Sequence, residues 1–104
     1  MFVKICGVTT EEDALLAVGM GADALGFNFV PGSSRQIRTA TARDIVRRLP
    51  GGVLTVGVFR DELKERVVEI THEAGLQAAQ LSGRESSNAS SWVAQRIPYL
   101  IKAF

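Results

Sequence analysis

Ala24-Leu25-Gly26-Phe27-Asn28-Phe29 is the stretch whose reading decides the fold. Its nearly continuous apolar character suits a strand covered on both faces, and such strands belong to parallel sheets whose helical crossovers cover them. Upstream, Phe2 to Cys6 is a shorter apolar strand, followed by Thr9-Thr10-Glu11-Glu12-Asp13, where Thr10 with Asp13 has the form of a capping box opening a helix. Gly19 and Gly21 end that helix, because glycine accepts the left-handed conformation that other residues resist.

Downstream of the loop Pro31 to Arg35, Ile45, Val46 and Leu49 share one helical face, Arg43, Asp44, Arg47 and Arg48 lie opposite, and Pro50-Gly51-Gly52 stops the helix. Val53 to Phe59 reads as a third strand. Leu63, Val67, Ile70 and Ala74 then recur at helical spacing behind Asp61, taken as the cap. Leu76 to Leu81 forms strand four, the serine-rich Ser86 to Ser91 leads into a helix around Trp92 and Val93, and Tyr99 to Phe104 forms strand five after Pro98.

Strand starts thus recur roughly every 22 to 29 residues with a helix between them, the mark of consecutive right-handed βαβ units. The expected class is α/β with a parallel sheet, one domain over residues 1–104. Two architectures fit: an open, flavodoxin-like five-stranded sheet, complete at about this length, or part of a (β/α)8 TIM barrel, which needs about 250 residues. The alternation alone favours the first.

Composition narrows the function classes. The 104 residues are 46% hydrophobic and 22% charged, the balance of a globular core. Twelve basic against eleven acidic residues leave a net charge of +1, so no basic field recruits nucleic acid or an anionic membrane. The longest apolar runs fall far below the roughly 20 residues of a membrane-spanning helix, and the N-terminus lacks the order of a signal peptide. With a lone cysteine, Cys6, no internal disulfide forms, which suits a reducing cytoplasm. No histidine-cysteine-carboxylate cluster has ligand spacing and no phosphate-cradling glycine loop follows a strand, so neither metal nor nucleotide cofactor is expected. His72, within the third helix, is expected at the surface, and Trp92 in the core or at an interface.

Specific residues then overrule the alternation. Lys4-Ile5-Cys6-Gly7-Val8-Thr9 with Glu12-Asp13-Ala14, Gly21-Ala22-Asp23-Ala24-Leu25-Gly26-Phe27 with Phe29, Ser33-Ser34-Arg35, Val56-Gly57-Val58-Phe59, and Gln80-Leu81 with Gly83 and Glu85 resemble, in order and spacing, the phosphoribosylanthranilate isomerases. The resemblance runs from Lys4 to Ala103 and covers about the first half of that family's barrel. It therefore implies a half-barrel of four βα units and a fifth strand.

The resemblance also implies a reaction: an aldose-ketose isomerisation in tryptophan biosynthesis, the Amadori rearrangement of phosphoribosylanthranilate, run by acid and base without a cofactor. Cys6 matches the family's general base. A thiol with an ordinary pKa of about 8.5 needs nearby cations or backbone N–H groups to serve near neutrality. Outside this motif, a lone cysteine at a strand end reads as a small buried hydrophobe. Arg35 matches the arginine that holds the anthranilate part of the substrate, a task a planar cation suits. Gln80 and Ser82 match a substrate-binding segment that usually reads Gln-Leu-His-Gly, so Ser82 stands where the family carries histidine and cannot hold its charge. Ser34, where proline is common, restores backbone freedom to the Arg35 loop.

The family's general acid and phosphate clamp come from later strands and loops, so little or no activity is expected of these 104 residues alone. Half a barrel also leaves two strand edges and an inner face in need of cover. A second copy, or a complementary C-terminal half-barrel, is the expected partner, beside the sugar-phosphate substrate. A non-catalytic half-barrel assembly module is the alternative function.

Overall fold

The computed structural model describes residues 1–103. Its elements run β1 (Lys4–Cys6), α1 (Glu11–Gly19), β2 (Ala24–Asn28), α2 (Thr39–Arg47), β3 (Leu54–Phe59), α3 (Lys64–Ala74), β4 (Ala78–Leu81), α4 (Ser87–Ala94) and β5 (Tyr99–Lys102). Every strand pairs in parallel with its sequence neighbour, giving the order β1-β2-β3-β4-β5. A flavodoxin-like sheet has the order 2-1-3-4-5 and winds in both directions from its first strand, so the strand order corrects that alternative. Winding in one direction with right-handed crossovers puts every helix on the same face, as in a barrel wall. The sheet is not closed: β1 and β5 are its edges.

The two faces of the sheet bury different residues. Leu25, Phe27, Phe59, Ala79 and Leu81 point toward the helices and join Ala14, Ala17, Ala42, Ile45, Val67, Ile70, Ala74 and Val93 in one apolar core. Phe29 and Phe59 stack with ring centroids 5.4 Å apart, fastening the ends of β2 and β3 together. Ala24, Val56 and Ala78 are fully buried yet stand outside that core. They lie on the opposite, concave face, in register with Lys4, Gly26 and Val56 of the adjoining strands.

Local chemistry explains where elements begin. Thr10 caps α1 by accepting the Asp13 N–H at 3.1 Å, as the sequence leads one to expect, and Ser86 caps α4 through the Ala89 N–H at 3.0 Å. Asp61 does not cap α3. That helix starts three residues later, its N-cap position is Leu63 without a side-chain hydrogen bond, and Leu63 is exposed rather than part of the helical face. Asp61 instead adopts a left-handed φ of 53° and turns its carboxylate to the Arg84 N–H, 2.6 Å away. Strands are shorter than the apolar runs because pairing does not extend over every apolar residue: Phe2, Val3, Phe29, Val53 and Leu76 all fall outside the paired segments. Ala103 likewise lies beyond β5, and Phe104 lies outside the described residues. His72 is exposed, as expected, with its Nε2 donating to the Arg96 carbonyl at 2.8 Å. Trp92 packs on the core edge between Lys64 and Arg96.

Candidate active site

At the C-terminal tip of β1, Cys6 is followed by a turn that only its neighbours can hold. The Gly26 carbonyl of β2 accepts both the Gly7 N–H at 3.0 Å and the Val8 N–H at 3.1 Å, and Gly7 takes φ +81° to make the turn. Gly26 also leaves room for the thiol, since a β-carbon there would sit 3.0 Å from Cys6 Sγ and 3.2 Å from its Cα. Cys6 is exposed, so the buried-hydrophobe reading of this residue does not hold.

Arg35 comes to the same tip from the β2–α2 loop. Its NH1 donates to the Gly7 carbonyl at 3.5 Å, and its aliphatic stem lies against Gly7, 3.2 Å from where a β-carbon would stand. The loop that presents it is internally tied. The Val30 N–H donates to Asn28 Oδ1 at 2.8 Å, Asn28 Nδ2 donates to Ser33 Oγ at 3.1 Å, and the Arg35 N–H donates to the same Oγ at 3.2 Å. The Asn28 and Gln36 backbones form a further bridge.

Gln80 and Ser82 occupy the tip of β4 on the concave face. Gln80 Oε1 accepts from Lys4 Nζ, and Gln80 Nε2 donates to Ser82 Oγ at 3.2 Å. Ser82 lines a cleft of ≈ 510 Å³ with Asn28, Val30, Pro31, Gly32, Ser33 and Arg60. Cys6 and Arg35 do not line this cleft; they form a second group at the β1 tip, and Lys4, two residues before Cys6 on the same face of β1, links the two groups through Gln80. A larger depression of ≈ 780 Å³ between α2 and α3 contains none of these residues and lies on the helical surface, away from the strand tips.

The loop after β4 is anchored by a charged cluster. Glu85, its side chain 6% exposed, accepts the Asp61 N–H at 2.8 Å, the Gly83 N–H at 3.0 Å and Lys102 Nζ at 2.8 Å. Burial works to raise the Glu85 pKa, but the Lys102 hydrogen bond, the N–H groups of Asp61 and Glu85 and the Lys102 charge outweigh it and hold the carboxyl below its ordinary value. Three successive rim segments, after β3, after β4 and at the end of β5, are thereby joined beside Ser82.

Lys4, Asn28, Arg60 and Glu85 belong to this rim, and their roles are not evident from residue type alone. The available signals are a polar residue inside an apolar strand for Lys4 and Asn28, and a charge within two or three residues of a strand tip for Arg60 and Glu85. Among the described residues, no group of three or more His, Cys, Asp or Glu could hold a metal ion, and no helix is long and apolar enough to cross a membrane.

Residues 3–104 match the family model of N-(5'phosphoribosyl)anthranilate (PRA) isomerase. The chain is 52% identical over 102 residues to the N-(5'-phosphoribosyl)anthranilate isomerase of Desulforudis audaxviator, covering 98% of this chain and 48% of that relative. It is 46% identical over 101 residues to the isomerase of Thermotoga petrophila, covering 97% and 49%. Among solved structures, phosphoribosyl anthranilate isomerase from Thermus thermophilus superposes with a TM-score of 0.96 at 50% identity, covering all of this chain and 52% of that one. A further isomerase, in complex with reduced 1-(o-carboxyphenylamino)-1-deoxyribulose 5-phosphate, superposes at 0.95 with 44% identity, covering 98% and 52%. The chain thus spans about half the length of the relatives it matches. By its sequence, its one-directional parallel sheet and its near-complete superposition on these structures, it belongs to the phosphoribosylanthranilate isomerase family.

Proposed function

We propose that these residues form the base-bearing half of a phosphoribosylanthranilate isomerase site. The observation that carries the reading is the exposed Cys6 thiol at the tip of β1, with the Arg35 guanidinium on the adjacent Gly7 carbonyl. In the Amadori rearrangement, an acid opens the ribose ring to a Schiff base and a base then takes the proton from the neighbouring carbon to give an enolamine. Cys6, as thiolate, is that base. Arg35 pairs with the anthranilate carboxylate or stacks on its ring, and Gln80 with Ser82 contacts the sugar. No cofactor takes part, and the cytoplasm is the expected compartment.

The acid and the phosphate clamp come from a second half-barrel that closes on the β1 and β5 edges. This half is either joined to these residues or supplied separately, and a second copy of the chain is the other occupant of those edges. A polypeptide of these 104 residues alone has little or no isomerase activity. Complementation of a tryptophan auxotroph lacking the isomerase tests the reading: growth is expected when the chain is joined to the C-terminal half of the Thermus thermophilus relative, and Cys6→Ala abolishes it. Growth that survives Cys6→Ala overturns the reading of Cys6 as the base, and no growth with the unaltered chain favours the assembly-module alternative.

A further inference from the structure

Two amides at the strand tips donate to serine hydroxyls, which therefore act as acceptors within the fold. An ammonium has only donors, so the Lys4 contact requires Gln80 to turn its oxygen toward β1. The Gln80 amide nitrogen must then face Ser82 Oγ, 3.2 Å away, and Ser82 must accept. The Ser82 proton is left without an acceptor among the described residues. On the other wall the Val30 N–H requires Asn28 to offer its oxygen there, its nitrogen donates to Ser33 Oγ, and the Arg35 N–H donates to the same atom, so the Ser33 proton also has no acceptor among the described residues. Ser82, Ser33 and the Arg60 guanidinium line one cleft of ≈ 510 Å³.

From this convergence we infer that Lys4 and Asn28 are positioning residues that free two serine hydroxyl protons for the cleft beside Arg60, donors suited to an oxygen-rich group such as a carboxylate or the oxygens of an opened sugar. Lys4 does not line the cleft, and Asn28 lines it with both ends of its amide already engaged. Lys4 acts through the Gln80 amide, whose orientation it dictates, and Asn28 acts through its own amide, oriented by the Val30 N–H; each amide donates to a serine and leaves the serine proton free for the cleft. The inference rests on the isomerase reading for the identity of the ligand, and on geometry alone for the polarity.

Gln80→Glu separates this role from a structural one, because it keeps the shape and the Lys4 contact but replaces the donor facing Ser82 with an acceptor. The Ser82 proton should then turn inward. In the 104-residue chain, the Ser82 hydroxyl proton is expected to exchange too fast to be seen by NMR, and to become a protected signal in Gln80→Glu. A protected Ser82 hydroxyl in the unaltered chain overturns the inference, as does a Gln80 side-chain NH2 with no nuclear Overhauser contact to the Ser82 β protons. In the enzyme completed by the Thermus thermophilus half, Gln80→Glu and Asn28→Asp are each expected to raise KM for phosphoribosylanthranilate about tenfold with unaltered folding, the loss of roughly one hydrogen bond to the ligand. Unchanged KM in both overturns the inference. Failure of the completed, unaltered enzyme to turn over substrate would count against the isomerase reading, while the NMR measurement still decides the polarity.

Discussion

Lys4 of β1 hydrogen-bonds Gln80 of β4 over the concave face, although β2 and β3 lie between them. In a flat sheet those two strands would stand about 14 Å apart and their side chains would project side by side without meeting. The contact exists because the sheet curls. The curl brings residues 76 positions apart to one rim and ties β1 to β4 across the two strands between them.

Replacing Cys6 by serine is expected to leave the fold intact, since the side chain is exposed and similar in size. In an enzyme completed by a relative's C-terminal half, kcat is expected to fall about 10²–10⁴-fold, the usual worth of a positioned proton acceptor. Circular dichroism beside steady-state kinetics checks both halves of the statement.

Gly26→Ala is expected to cost about 1–3 kcal/mol, as overpacking in a tight site does, because its new methyl meets both the Sγ and the Cα of Cys6. The thiol must shift, so its alkylation rate by iodoacetamide changes along with the urea midpoint. An unchanged rate and midpoint would mean that the close approach of β1 and β2 is not enforced.

Glu85 makes stability depend on acid. Its folded pKa is lowered, so its stabilising contribution is fully present above the unfolded value of about 4.3 and is lost as pH falls through the folded value. Glu85→Gln is expected to flatten that part of the pH profile. At neutral pH it should cost about 1–3 kcal/mol, because Lys102 keeps its charge without a counter-ion. Urea unfolding at pH 7 and below pH 4, in both proteins, gives the comparison.

The β1 side of the molecule predicts association. Phe2, Ile5, Leu16 and Met20 are exposed apolar side chains around the free β1 edge and α1. Sedimentation of the 104-residue chain is expected to give a mass above that of a monomer, and Leu16→Glu should lower it. A single monomeric species over a wide concentration range would exclude the second copy as the cover.

The parallel sheet was legible because strands buried on both faces carry unbroken apolar runs, as Ala24 to Phe29 does. Its direction of winding was not, since alternation is identical in open and barrel sheets. Only the residue motif distinguished them. Cys6 and Arg35 were legible through that motif, and the fold places them at one tip. The polar links made by Lys4, Asn28 and Glu85 were hidden, because each depends on a partner brought near by curvature or by a loop rather than by spacing in the chain. Asp61 has the outward form of a helix cap, as an acidic residue before a helix, but its acceptor role toward Arg84 is set by a loop 23 residues away.

Because each strand pairs with the one translated just before it, every βα unit can dock on a surface that already exists when it emerges. Contacts between neighbours about two dozen residues apart keep loop-closure entropy small and favour rapid, vectorial folding. A wall of this design can assemble progressively from its N-terminal end, each finished unit serving as the template for the next.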